Sequence, residues 1–221
     1  MITIDQQQNL LLNAARRLNK KITVYAIGGT AMMFLGFKDT TLDIDLVFDD
    51  KTDRAIFKEA VKSLGYLDMD AIKVYGVKRN TPEMVRLGDE RFDLFVLEVI
   101  DFIFSESMKQ RAEQIHQFGD NLILRIANPH DIILMKCATD RIKDKDDTRK
   151  IINSMKINWD IIFDEAKKQI ELGKIRAAFD LGCFLEDLKT EINIDIPQEI
   201  IDKLFVIVEN QAKGKISKQD Q

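Results

Sequence analysis

The chain has 221 residues, 45% hydrophobic and 32% charged, with only three prolines and ten glycines. That is the make-up of a folded globular protein and argues against disorder. The formal net charge of −4 argues against a protein that lives on attraction to a nucleic-acid backbone, so any RNA partner has to be held by a local basic patch.

The first stretch, "MITIDQQQNLLLNAARRLNKK", has no apolar run long enough for a signal peptide or a spanning helix, so no membrane is expected and the expected location is cytoplasmic. Its apolar residues, Leu10, Leu11, Leu12, Ala14, Ala15 and Leu18, predict an amphipathic helix ending near Lys20. "ITVYAI" predicts a buried strand ended by Gly28 and Gly29, and "TAMMFLGF" a helix running to Gly36. "LDIDLVF" alternates as a strand does, and residues 53–64 predict a helix stopped at Gly65. "IKVYGV", "MVRLG" and "RFDLFVLEV" predict three further strands separated by turn formers, and "NLILRI" another.

From Asn128 onward the pattern is helical. Asn128 and Pro129 form a start signal for a helix in "NPHDIILMKCATDRIKDKDDTRKIINSM", and helical periodicity continues over 159–171, 174–189 and 197–211. The expected fold class is therefore α+β, with residues 1–127 as a mixed sheet flanked by helices and residues 128–221 as a helical bundle. Cys137 and Cys183 lack the spacing of a zinc site or a disulfide framework and read as small hydrophobes.

One stretch carries more than fold. In "YAIGGTAMMFLGFKDTTLDIDLVF", Asp43 and Asp45 stand two apart on one predicted strand, so both project to the same side. Two adjacent carboxylates in so apolar a segment call for a cation, and hard oxygen ligands suit Mg²⁺ or Mn²⁺. Between a strand and a helix, Gly28-Gly29-Thr30 allows close approach of backbone N–H groups to an anion such as a phosphate, and Thr30 offers a hydroxyl. Asp93, flanked by Phe92, Leu94 and Phe95, is costly to bury without a partner. Three such aspartates on neighbouring strands can hold two metal ions for an in-line displacement. If the helix is continuous, Lys136, Lys143 and Asp147 share one of its faces, where a lysine is placed for a nucleotide phosphate.

Gly28-Gly29-Thr30, twelve intervening residues, Asp43-Ile44-Asp45 and a later Asp93 in an apolar strand resemble the nucleotidyltransferase superfamily of the DNA polymerase β-like fold, whose pattern is hG[GS], x9-13, Dh[DE]h and a further carboxylate. Gly29 stands where that family often has Ser. The Gly-Gly form, with "LMKCATDRIKDKDDTRKI", is similar to the branch of minimal nucleotidyltransferases and abortive-infection type E toxins. In that branch a helical Lys is followed by Arg and a K/R-D-x-x-D run, places taken here by Lys136, Arg141, Lys143, Asp144 and Asp147.

The resemblance implies a Mg²⁺- or Mn²⁺-dependent nucleotidyltransferase. It transfers a nucleoside monophosphate from a nucleoside triphosphate (NTP) to a hydroxyl, on a tRNA 3′ end or a protein, and releases pyrophosphate. Asp43, Asp45 and Asp93 are then the metal-binding catalytic set, and Gly28, Gly29, Thr30, Lys136, Arg141, Lys143 and Asp147 the nucleotide-binding set. A toxin–antitoxin setting with a partner protein belongs to the same expectation. The competing expectation is a catalytically silent nucleotide-binding or antitoxin-like regulatory module, against which the intact aspartates speak.

Overall fold

The computed structural model describes residues 1–139 and 141–219. A two-residue strand β1 (Ile2–Thr3) leads into α1 (Ile4–Ala15). The helix starts where it does because Thr3 and Gln6 cap it reciprocally: the Gln6 N–H donates to Thr3 Oγ1 at 3.4 Å and the Thr3 N–H to Gln6 Oε1 at 2.9 Å. There follow β2 (Ile22–Ala26), α2 (Gly28–Phe34), β3 (Thr40–Thr41) and β4 (Ile44–Phe48). Next is α3 (Lys51–Lys62), capped by Asp50, whose carboxylate accepts from the Thr52 and Asp53 N–H groups.

The chain continues through β5 (Leu67–Met69), a single helical turn α4 (Ile72–Tyr75), β6 (Glu83–Leu87), β7 (Glu90–Val96), β8 (Glu98–Val99), β9 (Phe102–Ile103), α5 (Glu106–Arg111), β10 (Ile115–Phe118) and β11 (Leu122–Ile126). Five helices complete it: α6 (Pro129–Lys136), α7 (Ile142–Ser154), α8 (Trp159–Glu171), α9 (Ile175–Ile192) and α10 (Gln198–Gln219). Among the described residues no helix is long and apolar enough to cross a membrane.

Two compact units result, one of Met1–Ile100 with Glu106–Asn128, the other of Asp101–Ser105 with Pro129–Gln221. In the first, seven strands run in the order β10-β11-β2-β4-β7-β6-β5. The sheet is mixed: β2 is parallel to β11 and antiparallel to β4, while β4 and β7 are parallel. Phe48, Phe57 and Phe92 are fully buried and meet ring to ring, with centroids 5.4 and 5.9 Å apart, fastening α3 to β4 and β7. The α+β class with a mixed sheet, flanking helices and C-terminal helices is thus the observed one.

In the helical unit the short segment 101–105 is tied to α8. The Gln169 amide accepts from the Ile103 N–H at 2.9 Å and donates to the Ile103 carbonyl at 2.8 Å, imitating a strand partner. Ser105 donates to Glu165 at 2.7 Å one helical turn earlier. Gly182 on α9 lies so near Phe205 of α10 that a Cβ there would be 3.0 Å from the ring, so a larger residue would require the ring to shift.

Three local expectations are corrected. "IKVYGV" is the turn α4, not a strand, because the Asp70 carboxylate takes the Ile72 N–H at 2.9 Å and Gly76, at φ +63°, ends the turn. The expected strand "RFDLFVLEV" is split at Leu97, at φ +56°, into β7 and β8. The helical run after Pro129 is two helices, interrupted between Lys136 and Ile142.

Candidate active site

The parallel pairing of β4 and β7 sets Asp45 directly across from Asp93, with Leu46 across from Leu94 in the next position. Asp43 lies just before β4, and one carboxylate oxygen from each of Asp43, Asp45 and Asp93 falls within 4.8 Å of the other two. Asp93 is fully buried in mid-strand, Asp43 is 8% exposed and Asp45 half-buried. Clustered hard oxygens at this spacing are the donor set a divalent cation such as Mg²⁺ or Mn²⁺ takes, so the residues fit such an ion.

The turn from β2 into α2 braces this cluster. The buried Thr30 hydroxyl accepts from the Asp45 N–H at 2.8 Å and donates to the Asp43 carbonyl at 3.4 Å, clamping the backbone on both sides of Ile44. Its own carbonyl accepts from the buried Gln7 amide of α1 at 3.3 Å. Gly28 sits at φ +54°, and a Cβ there would be 2.8 Å from Asp45 Oδ2; a Cβ on Gly29 would be 2.5 Å from Thr41 Oγ1. Both positions leave no room for a side chain as the structure stands, and Gly28 lies against the Asp45 carboxylate while Gly29 lies against Thr41. The first N–H groups of a helix lack intrahelical partners, so this edge is suited to an anion.

Two further residues complete the site. The Arg91 guanidinium donates from Nε to Asp93 Oδ1 at 2.8 Å and from a terminal nitrogen to Asp93 Oδ2 at 3.2 Å, and that terminal nitrogen also pairs with Asp43 Oδ2. The Tyr75 hydroxyl donates to Asp93 Oδ2 at 2.6 Å. Burial pushes the Asp93 carboxyl up to about 6; Arg91 pulls against this, while the Asp43 charge adds to it. Tyr75 is raised, by burial first and then by the Asp45 and Asp93 charges. Burial lowers Arg91, but Asp93 and Asp43 outweigh it and the net direction is upward. Arg91 was legible in principle, since residues two apart on a strand share a face. Tyr75 carried no signal, because only the fold brings it to Asp93.

In the helical unit the chain assembles a second ionic cluster. Lys136 Nζ donates to Asp144 Oδ1 at 2.8 Å and to Asp147 Oδ2 at 2.7 Å, all three side chains being buried. Arg141 Nε reaches Asp144 Oδ2 at 2.9 Å, and the Thr139 hydroxyl donates to the same carboxylate. In a straight helix Lys136 and Asp147 would stand about 16 Å apart along the axis; the break after Lys136 folds α7 back so that both aspartates meet the ammonium. The lysine stays charged: burial lowers it, but Asp144 and Asp147 outweigh burial and raise it. Lys143 is exposed on α7. Gly28, Gly29, Thr30, Asp43, Asp45 and Asp93 are thus grouped within the first unit, and Lys136, Arg141 and Asp147 belong to the helical unit.

No curated protein matches the chain. Among solved structures it is similar to ANT(2″)-Ia in complex with adenylyl-2″-tobramycin, at 17% identity over 81% of this chain and 97% of that one, with a TM-score of 0.44. It is also similar to JHP933 from Helicobacter pylori, at 18% identity over 100% of this chain and 97% of that one, with a TM-score of 0.39. Residues 1–182 match the family described as nucleotidyltransferase of unknown function, DUF6036. That stretch contains the whole carboxylate cluster and its glycine turn, and the chain belongs to this nucleotidyltransferase family.

Proposed function

We propose that the protein is a Mg²⁺-dependent nucleotidyltransferase that moves a nucleoside monophosphate from an NTP to a hydroxyl acceptor and releases pyrophosphate. The observation that carries this reading is the convergence of Asp43, Asp45 and Asp93 beside the Gly28-Gly29 turn. Bound divalent metal would neutralise the triphosphate and lower the pKa of the attacking hydroxyl. The chain's own residues do the rest. The Gly28 and Gly29 backbone receives the phosphates, Thr30 holds the two strand aspartates in place, and Asp93 takes the acceptor proton. A carboxyl raised to about 6 is suited to that task near neutral pH.

The acceptor we assign is a tRNA 3′ end or a protein hydroxyl, in a toxin–antitoxin setting. Residues 71–82 contain Lys73, Lys78 and Arg79 and no acid, all three basic side chains are exposed, and Tyr75 of this segment touches Asp93. A basic strip beside the reacting groups supports a polyanionic acceptor over a small neutral one. Lys136, with its charge compensated by Asp144 and Asp147, is given a role in holding α6 to α7 first, and a phosphate contact only as an addition.

The competing reading, a silent nucleotide-binding module, draws on Arg91 and Tyr75, which already engage Asp43 and Asp93. One experiment separates them. Purified protein is incubated with Mg²⁺ and each α-labelled NTP, with total RNA, with cell extract and alone, beside Asp43→Ala. Label moved to RNA or protein by the wild type only supports the transferase and names its acceptor class; NTP binding without transfer supports the silent module.

A further inference from the structure

We infer that Arg91 is the built-in counter-cation of the carboxylate cluster: a positioning residue that orders Asp43 and Asp93 and competes with a divalent cation for their oxygens. The inference rests on the metal-binding reading of the cluster. Its guanidinium makes a two-pronged contact with Asp93, at 2.8 and 3.2 Å, and extends to Asp43. It therefore touches two of the three residues whose oxygens converge within 4.8 Å. Its side chain is 16% exposed and that of Asp93 not at all, so water screens the contact little. Arginine cannot escape the competition by losing its proton. A cation that ligates Asp43 and Asp93 has to displace the guanidinium or share oxygens with it, against like-charge repulsion.

Tyr75 is the internal contrast. It donates to the same Asp93 Oδ2 at 2.6 Å but carries no charge, so it orders the carboxylate without repelling a cation. Removing Arg91 should then raise the affinity of the nucleotide-free protein for metal, whereas removing the Tyr75 hydroxyl should change it little. A merely structural arginine predicts the reverse, because loss of an ordering contact loosens the ligands. An incoming triphosphate is a second site for the guanidinium, which makes metal binding by the wild type stronger when nucleotide is present.

The test is Mn²⁺ binding to the full chain, read from the electron paramagnetic resonance signal of free Mn²⁺, without nucleotide and then with a non-hydrolysable NTP analogue. Arg91→Gln is expected to bind Mn²⁺ at least about fivefold more tightly than wild type without nucleotide, and to show a smaller gain when the analogue is added. Tyr75→Phe should stay within about twofold of wild type. Arg91→Lys keeps the charge but loses the fork, so it should bind about two- to threefold more tightly; it decides the matter alone if Arg91→Gln does not fold. Unchanged or weaker Mn²⁺ binding in the folded Arg91 variants overturns the inference. Wild type and Asp45→Ala binding Mn²⁺ alike would instead overturn the metal reading beneath it.

Discussion

The Thr30 hydroxyl accepts the Asp45 N–H at 2.8 Å and donates to the Asp43 carbonyl at 3.4 Å, so one buried side chain of α2 holds the backbone on which both clustered aspartates are carried. Thr30→Val keeps shape but strands a donor and an acceptor in the interior, a cost of about 1–3 kcal/mol. Thr30→Ser should recover most of it. Urea denaturation of the three proteins checks the order wild type, Ser, Val; a valine variant as stable as wild type would show that the clamp contributes nothing.

Asp45→Asn preserves volume and changes only charge beside Asp93. Nucleotidyl transfer is expected to fall by about 10²–10⁴-fold with the thermal midpoint little altered, since Asp45 is only half-buried. Single-turnover transfer and circular dichroism on the same preparation provide the comparison. Transfer within tenfold of wild type would remove Asp45 from the chemistry.

Gly28→Ala tests the close approach of backbone and carboxylate. The new Cβ would lie 2.8 Å from Asp45 Oδ2, and the residue sits at φ +54°, a conformation costing an L-residue about 1–2 kcal/mol. Stability should drop by about that amount, and transfer by more than the stability loss alone explains, because the displaced group is Asp45 itself.

Lys136→Met takes the buried ammonium away from Asp144 and Asp147, leaving Arg141 as the cation on Asp144. Breaking such a group typically costs about 3–5 kcal/mol, so the helical unit should melt earlier by calorimetry. The pH dependence has a definite sign. Burial raises Asp144, but Lys136, Thr139 and Arg141 outweigh it, and the folded pKa lies below the ordinary value. Its stabilisation is therefore present above about pH 4 and is lost as pH falls through the depressed folded value. The acid limb of the wild-type stability curve should be shallower in Lys136→Met.

Asp93 runs the other way. Its folded pKa is raised to about 6 by burial before all else, so the folded protein holds a proton that the unfolded chain releases near pH 4. Its contribution to stability falls as pH rises from about 4 to about 6, and a divalent cation can recover it only once the carboxylate is ionised. The rise in melting temperature on adding Mg²⁺ should accordingly be larger at pH 7.5 than at pH 5. An equal rise at both values would show that Asp93 takes no part in binding the ion.

Much of this protein is written in local pattern. Alternation marked β4 and β7, helical periodicity marked α8, α9 and α10, and Gly28-Gly29 with Asp43-x-Asp45 marked a turn and a carboxylate pair, because these signals depend only on neighbours along the chain. Where a local signal was ambiguous it misled: I-K-V-Y alternates like a strand, yet a carboxylate two residues before it and a glycine after it wind it into α4. The run after Pro129 has helical periodicity, but it is two helices, and the interruption between them lets the buried ammonium of Lys136 meet Asp144 and Asp147.

Only the tertiary structure decided which residues meet. The parallel register of β4 and β7 sets Asp45 against Asp93, Tyr75 arrives from a turn 18 residues away in sequence, and Arg91 spans 48 residues to reach Asp43. Sequence determines which side chains are charged, and strand pairing determines the distances between those charges. Because the energy of a buried carboxylate depends on what lies within a few ångströms of it, the chemistry of this cluster was completed by the long-range contacts of Asp93 with Tyr75 and of Asp43 with Arg91, which no spacing along the chain records.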